Sequence, residues 1–319
     1  AGGAAVPNGA RTTGQDVRLK AKEDLNVIGA TIDAGNSLTV SAGRDLNVKS
    51  TTRSDTGGGV GYARSSTHID RVAGLYVGAD GKGALIASAG NDVNLIGAVI
   101  ANQGGAGKPK QALALGAAIG NAVGDASGAA APLTGTIIAA GHDVNLGTLT
   151  AGDANSWQGR PGNYGNYSRS KDVGTLVYGK DGVRIHAGND ANLRAATVAT
   201  QGELTVSATH DVNLQAGQAS RSGETATTST SKNLLKKTTT SSYDRTSVTD
   251  VVSTSLSGDT VTLAAGNDIN TQAAQLRSNE ATTLAAGRDI HLGTATRSTE
   301  ETQTRQSQTC AAGLGKQIG

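Results

Sequence analysis

Residues 24–45 read DLNVIGATIDAGNSLTVSAGRD, a stretch that begins on one Asp and ends where the next copy of the same phrase starts. Three short runs in it alternate apolar and polar residues: LNV at 25–27, ATI at 30–32 and LTV at 38–40. Alternation with period two is typical of strands, and the Gly, Ala and Asn residues between the runs suit tight corners. Three strands and three corners within a repeat of about 21 residues predict one coil of a parallel β-helix.

The phrase recurs eight times, as a small or polar residue, Asp, an apolar residue, usually Asn, and a second apolar residue. The copies centre on Asp24, Asp45, Asp92, Asp143, Asp190, Asp211, Asp268 and Asp289. The first, fifth and seventh gaps between successive copies are equal, and a fixed period of this length is typical of a solenoid whose repeats pack only on their neighbours. We therefore predict an all-β chain that forms a right-handed parallel β-helix of about 21 residues per coil, with three short strands in each coil.

The repeated residues receive structural roles. We expect each motif Asp to be a corner residue whose carboxylate accepts backbone N–H groups, and the Asn two positions later to stack in a ladder between coils. The expected ladder residues are Asn26, Asn47, Asn94, Asn145, Asn192, Asn213 and Asn270. The apolar residue after each Asp should point inward, and the predicted column contains Leu25, Leu46, Val93, Val144, Val212, Ile269 and Ile290.

Composition agrees with a narrow core and excludes several classes of function. The chain has 45 Gly, one Trp, six Tyr and no Phe or Met, whereas a wide globular core normally holds many aromatic side chains. The net charge is +2 and the Lys and Arg residues are dispersed, so we expect no nucleic-acid partner. Apolar runs are too short for a transmembrane helix. The chain opens in mid-repeat, and we expect residues 1–319 to be a single β-helix fragment of a longer chain.

The other four gaps between motifs are longer than one period, which predicts insertions. We place the inserts at about 50–83, 101–135, 151–182 and 217–258, all soon after the motif strand, so that they project from one side. The Ser/Thr-rich fourth insert suits a long two-stranded hairpin, and residues 293–319 resemble the start of another insert or a loose tail. The Gly/Ala-rich second insert is either a mobile loop or a short helix at 111–123.

The aromatic residues concentrate in the first and third inserts. Leu75-Tyr76-Val77-Gly78 in the first corresponds to Leu176-Val177-Tyr178-Gly179 in the third. Two interpretations stay open. The aromatic side chains either pin a hairpin to the flank of the β-helix, or they form a small contact surface.

The sequence predicts no catalytic residue, no cofactor and no metal site. His142 and His210 precede a motif Asp, which suggests a His–Asp dyad, but no nucleophile recurs beside them and a solvated corner is the simpler explanation. His68 and His186 lack metal-ligand spacing. Calcium-binding rolls repeat an Asp every nine residues, whereas this chain offers one Asp per coil, so Ca²⁺ is also disfavoured. A β-helix enzyme acting on polysaccharide is the remaining enzymatic alternative.

The phrases AGRDLNV, AGNDVNL, LTVSATHDVNLQAG and SLSGDTVTLAAGNDIN resemble the haemagglutinin repeats of filamentous haemagglutinin-type exoproteins. The Ser/Thr-rich hairpin that ends at Leu256-Ser257-Gly258 is similar to the second class of these repeats, found in contact-dependent growth inhibition effectors and in two-partner-secreted adhesins. The Gly/Ala-rich insert at 101–135 departs from that pattern.

The resemblance implies a function and a location. It implies export from a Gram-negative bacterium through an outer-membrane transporter of a two-partner system, and display at the cell surface. The repeat region of this chain resembles the part of the inhibition effectors that is implicated in carrying a C-terminal toxin into target bacteria. The alternative is a plain adhesin filament that binds a surface component of host or neighbouring cells.

Overall fold

The computed structural model of the chain describes residues 4–6, 9–78, 83–104, 135–234 and 236–311, and these residues form 28 strands. In chain order the strands are β1 (Ala4–Val6), β2 (Arg11–Ala21), β3 (Leu25–Ile28), β4 (Thr31–Ala42), β5 (Leu46–Lys49), β6 (Thr51–Gly59), β7 (Tyr62–Arg71), β8 (Gly74–Val77), β9 (Leu85–Ala89), β10 (Val93–Ile96), β11 (Val99–Asn102), β12 (Thr136–Ala140), β13 (Val144–Gly147), β14 (Leu149–Gln158), β15 (Tyr164–Val173), β16 (Leu176–Gly179), β17 (Val183–Ala187), β18 (Ala191–Arg194), β19 (Thr197–Thr200), β20 (Glu203–Ala208), β21 (Val212–Gln215), β22 (Gly217–Asn233), β23 (Lys236–Val252), β24 (Ser255–Ala265), β25 (Ile269–Gln272), β26 (Gln275–Ala286), β27 (Ile290–Gly293) and β28 (Ser298–Ala311).

The chain folds as a parallel β-helix, as the repeat period predicts. The motif strands form one parallel sheet in the order β1-β3-β5-β10-β13-β18-β21-β25-β27. A second parallel sheet holds the other coil strands, and its long members β2, β4, β24 and β26 each supply two strand positions of one coil. Eight coils are described: β2–β3, β4–β5, β8–β10, β11–β13, β16–β18, β19–β21, β24–β25 and β26–β27, which we number coils 1 to 8 in that order.

The inward column that the sequence predicts is present in the motif sheet. Leu25 pairs with Leu46, Leu46 with Val93, and the register continues through Val144 and Val212 to Ile269. These side chains are at most 2% exposed. Each fully buried aliphatic side chain contributes about 1.5–3 kcal/mol, so stacking between coils is the main stabilising term.

The expectation that Ile290 is also buried is wrong. Ile290 pairs with Ile269 in register, but its side chain is 44% exposed. The physical reason is its position, since among the described residues β27 is the last strand of the motif sheet and pairs only with β25.

Corners differ between odd and even coils. In odd coils the chain turns from the motif strand into the next coil through one residue with positive φ, at Gly29, Gly97, Ala195 and Ala273. In coils 2, 4 and 6 a hairpin takes the place of that corner: β6–β7, β14–β15 and β22–β23. The three hairpins and β28 form a third, antiparallel sheet in the order β28-β23-β22-β15-β14-β7-β6, which we name the hairpin sheet.

Buried hydroxyl groups lie where the hairpins join the coils, and we call each such junction the neck of the hairpin. The Ser50 hydroxyl donates to the Gly97 carbonyl at 2.6 Å and accepts the Ala73 N–H at 2.9 Å. Thr254, which is fully buried, donates to the Gln215 carbonyl at 2.7 Å, and Thr175 is placed equivalently in the other neck. The Gln215 carbonyl also accepts the Ala195 N–H at 3.0 Å, so the Thr254 hydroxyl group adds a second hydrogen bond to it and ties the returning chain to the end of the motif strand.

The structure corrects the limits of three inserts. The ranges 50–83 and 151–182 include β8 and β16, which are coil strands paired with β11 on its two sides. Leu75 and Val177 point into the core and are fully buried, while the neighbouring Tyr76 and Tyr178 belong to the outward-facing set. The range 217–258 likewise includes the start of β24. The expected correspondence of Leu75 with Leu176 is wrong by one residue, because Leu75 of coil 3 and Val177 of coil 5 both pair with Ile100 of coil 4.

The second insert enters at a different corner from the other three. The range 101–135 was expected to follow the motif strand, but β11 already belongs to coil 4, so the insert lies between β11 and β12. The helix expected at 111–123 lies outside the described residues. On the two coils beside this corner, the outward positions Ile86 and Ile137 are apolar and buried, which departs from the expected Asn, Thr and Ser.

Candidate functional site

The motif Asp carboxylates form a column along one corner of the β-helix. Oδ1 of each accepts the backbone N–H of the motif Asp in the next coil, at 3.0–3.3 Å. The pairs, donor first, are Asp45–Asp24, Asp92–Asp45, Asp143–Asp92, Asp190–Asp143, Asp211–Asp190, Asp268–Asp211 and Asp289–Asp268. Each carboxylate therefore satisfies a backbone donor at a corner where the strand ladder is interrupted.

The motif Asn side chains stand next to this column and form their own ladder. Each Nδ2 donates to the Oδ1 of the Asn in the preceding coil at 2.8–3.0 Å. The series runs from Asn26 through Asn47, Asn94, Asn145, Asn192 and Asn213 to Asn270, and His291 takes the position in coil 8. Every interior amide both donates and accepts, so one substitution removes two hydrogen bonds.

In coils 2 to 6 and in coil 8, the residue before the motif Asp contacts the Asp of the preceding coil. Nε of Arg44 donates to Asp24 at 2.6 Å, and Nε of Arg288 donates to Asp268 at 3.0 Å. These guanidinium hydrogen bonds hold the pKa of Asp24 and of Asp268 below the ordinary value. In coil 4, the hydrogen bond to Asp92 and the charge of Asp143 raise the pKa of His142.

One imidazole meets a hydroxyl group on the outer surface. Nδ1 of His186 lies 2.9 Å from Oγ of Ser207 in the next coil, and burial lowers the pKa of His186. Nucleophilic catalysis additionally needs a group that orients the imidazole. The hydrogen bonds described for this pair add the Ile185 carbonyl, which accepts from Ser207 at 3.3 Å. The two residues are one coil period apart in sequence, and only that period could have signalled the contact.

The hairpin sheet is the largest feature outside the β-helix. β14 pairs with β7 of the preceding hairpin, and β15 pairs with β22 of the next. β28 pairs with β23 along fourteen residues, so the segment expected as a further insert or a tail adds the last strand of this sheet. The hairpins that follow coils 2, 4 and 6 thus pair through their outer strands and form one sheet. Among the described residues, β6 and β28 are the two edge strands of this sheet.

One face of the hairpin sheet is aromatic and cationic. Tyr62 pairs with Trp157, Arg64 pairs with Asn155, and Tyr167 pairs with the same Asn155, so register places these side chains on one side. Tyr62, Trp157 and Tyr167 are 57%, 46% and 44% exposed. We name the residues Tyr62, Arg64, Trp157, Tyr167 and Arg169 the aromatic face.

Glycine residues in the neighbouring strands explain how these rings lie. A Cβ placed on Gly165 would come within 2.3 Å of Trp157, and one on Gly59 within 2.7 Å of Tyr62. The rings therefore cover the backbone of the next strand, a known way to protect glycine in a sheet. This supports the interpretation that the aromatic side chains pin hairpins, and the same rings leave an exposed surface.

The opposite face carries small hydroxyl side chains. Ser168 contacts Ser222 at 2.8 Å, Ser170 contacts Ser220 at 2.8 Å, and similar pairs continue along the sheet. An open groove of about 740 Å³ crosses six strands of the sheet and is lined mostly by Gly, Ala, Ser and Asn, together with Glu224 and Arg245, which the register places on this face. A long, open groove of this kind suits an extended partner better than an enclosed small molecule.

The predicted site residues fall into two places. The motif Asp and Asn residues share one corner of the coils, whereas the aromatic residues divide between coil strands and hairpins. Tyr76 lies on a coil strand, where burial and the nearby Asp33 raise its pKa, and its ring covers Gly74. Cys310 lies exposed on β28.

Comparison with known proteins identifies one family. The family model described as hemagglutinin repeat matches residues 7–86, 162–239 and 235–319, which together make up well over half of the chain. No curated protein and no solved structure matches the chain. In the part of the chain that the structure describes, no helix has the length and apolar character needed to cross a membrane.

Proposed function

The chain belongs to the hemagglutinin-repeat family, and we propose that it is a structural and delivery segment of a large exoprotein of the contact-dependent growth inhibition type. Hemagglutinin repeats are structural and adhesin-like rather than enzymatic, and they are typical of secreted or cell-surface proteins that use a two-partner transporter. In this proposal the segment presents a C-terminal toxin to target bacteria, or helps to translocate it, after export from a Gram-negative cell.

The continuous hairpin sheet is the observation that carries the proposal. The coils are held by stacking and by two polar ladders, which suits a stiff stalk whose repeats pack only on their neighbours. Among the described residues, none of the hairpin strands supplies a residue to the main buried core, yet the hairpins pair with each other from β6 to β28. A continuous layer outside the core is the natural place for contact with a target membrane or a translocation partner.

The adhesin alternative is supported by the aromatic face. Exposed Tyr and Trp side chains beside Arg residues are the residue types that dominate binding surfaces. In this alternative, a surface component of a host or neighbouring cell binds the hairpin sheet, and no toxin is delivered.

Deletion of the longest hairpin separates the two functions. In the full-length exoprotein, residues 216–254 are replaced by Gly-Ala, the pair that joins the same two strands in coil 1 at positions 29–30. Display at the surface, attachment to target cells and growth inhibition are then measured separately. At equal display, the delivery function predicts that inhibition falls at least about tenfold while attachment persists.

A matched variant keeps the hairpins and alters only the aromatic face, with Tyr62→Ser, Trp157→Ser and Tyr167→Ser. The adhesin function predicts that attachment falls in this variant and in the deletion. Inhibition equal to that of the parent in the deletion variant contradicts the delivery proposal.

A further inference from the structure

Basic side chains accompany the Asp column at every second coil. Arg44, His142, His210 and Arg288 precede the motif Asp of coils 2, 4, 6 and 8. Each lies between two carboxylates, that of its own coil and that of the coil before. At the two ends the basic group is a guanidinium, whereas in the middle it is an imidazole.

The two imidazoles have the same surroundings. Nδ1 of His142 lies 3.0 Å from Asp92 and 3.4 Å from Asp143. Nδ1 of His210 lies 3.1 Å from Asp190 and 3.4 Å from Asp211. In each triad one nitrogen and two carboxylate oxygens lie within 4.8 Å of one another. The arrangement thus occurs twice, two coils apart, with an Nδ1 atom and two carboxylate groups at nearly the same distances.

These spacings fit the coordination shell of a small transition cation. With Zn–N and Zn–O bonds of about 2.0–2.1 Å, neighbouring ligand atoms in a tetrahedron lie about 3.3–3.4 Å apart. The distances from Nδ1 to the two carboxylates are close to that value before any adjustment. The histidine side chains are 53% and 52% exposed, so water can reach the remaining coordination position.

We propose that Asp92–His142–Asp143 and Asp190–His210–Asp211 are two binding sites for a divalent transition cation of the zinc class, each of which clamps two adjacent coils together. The cation replaces the proton that Nδ1 shares with the carboxylates. The ligands are oriented in advance, because Asp92 also accepts the N–H of Asp143 and Asp190 accepts the N–H of Asp211, both at 3.0 Å. An imidazole ligand favours Zn²⁺, Co²⁺ or Ni²⁺ over Ca²⁺ and Mg²⁺.

Coil 5 provides a natural control for the ligand role of histidine. Asn189 occupies the position of His142 and donates to Asp143 at 2.9 Å, as Nδ1 of His142 meets Asp92 at 3.0 Å. The corner therefore accepts Asn without any change in hydrogen bonding, while a neutral amide nitrogen cannot ligate a metal. His142→Asn and His210→Asn consequently remove the proposed ligand and keep the fold.

The test measures zinc binding by isothermal titration at neutral pH, in the full 319-residue chain with Cys310→Ser so that the thiol cannot bind zinc. We expect two equivalents of Zn²⁺ in this protein, one in either single variant, and none in the double variant. His68, His186 and His291 remain in the double variant and report adventitious binding by histidine. Retention of both equivalents in the double variant overturns the proposal, and so does a parent that binds no more zinc than the double variant.

Thermal unfolding tests the clamp itself. A ligand bound by the folded state alone raises the unfolding temperature, so saturating Zn²⁺ should raise Tm by several degrees in the parent and leave the double variant unchanged. An equal Tm rise in both proteins contradicts the clamp. A large excess of Ca²⁺ should not displace the zinc, and displacement by Ca²⁺ overturns the assignment to the zinc class.

Discussion

Replacement of Val144 by Asp tests the inward column at the middle of the stack. Val144 is fully buried and lies between Val93 and Ala191 of the adjacent coils. Loss of two buried methyl groups costs about 1.6 kcal/mol, at about 0.8 kcal/mol each. The carboxyl group must also stay neutral in that environment, which costs about 4 kcal/mol at pH 7 because an ordinary Asp pKa is about 3.9 and each unit of difference costs about 1.4 kcal/mol. The expected total of about 6 kcal/mol is comparable to the stability of a whole domain.

Two controls isolate the cause. Val144→Asn has nearly the same shape without the charge, so at pH 7 it should be about 4 kcal/mol more stable than Val144→Asp, and the two should converge near pH 4. Ile290→Asp makes a similar change in the same column where the side chain is 44% exposed, and we expect a cost of at most about 1 kcal/mol.

Denaturant unfolding followed by circular dichroism gives all three free energies of unfolding at pH 7 and pH 4. The reasoning is refuted if Val144→Asp unfolds within about 1 kcal/mol of Val144→Asn at pH 7, or if Ile290→Asp costs as much as Val144→Asp. Either result would mean that the motif strands do not enclose a water-free core.

Three further predictions address the ladders and corners. Asn145→Ala removes one hydrogen bond to Asn94 and one from Asn192, so denaturant unfolding should show a loss of about 1–3 kcal/mol. Ala273→Gly should stabilise the chain by about 0.5–1 kcal/mol in the same assay, because this residue has a φ of +50° that strains a side chain with Cβ. The depressed pKa of Asp268 stabilises the folded state above the ordinary pKa, and this contribution is lost as pH falls through the folded-state value. The Tm measured from pH 7 to pH 3 should therefore fall less steeply in Arg288→Gln than in the parent.

The coil was predictable because its determinants are local. A side chain at Leu25 or Val27 faces the core as a consequence of period two alone, and a slip of one residue would expose both. The exposure of Ile290 could not be read from the pattern, since it depends on whether β27 lies inside the motif sheet or at its edge, and among the described residues it lies at the edge. The limits of the first and third inserts failed for a related reason: LYVG and LVYG carry a strand pattern, but only pairing with β11 shows that the strand lies in the coil.

The side-chain clusters escaped the sequence argument because each crosses between coils. One motif Asp per coil offers a metal a single ligand when the sequence is read along the chain. The structure brings the Asp of the preceding coil to His142, from a position 50 residues earlier. The signal that could have revealed this is the coil period itself: His at the position before a motif Asp lies against the previous motif Asp wherever coils stack in register.

The alternation of odd and even coils explains why the hairpin sheet is continuous. Strands in a sheet lie about 4.8 Å apart, and coils of a β-helix rise by the same distance because they are joined by the same ladder. A hairpin contributes two strands, about 9.6 Å of sheet, which equals the rise of two coils. A hairpin at every coil would supply twice the strands that fit, and a hairpin at every third coil would leave a gap of one strand. Hairpins that follow coils 2, 4 and 6, with β28 after coil 8, meet the spacing that lets all seven strands pair. The repeating unit of this chain is therefore a pair of coils that carries one hairpin and one basic side chain on the Asp column. Each such unit contains two copies of the Asp motif.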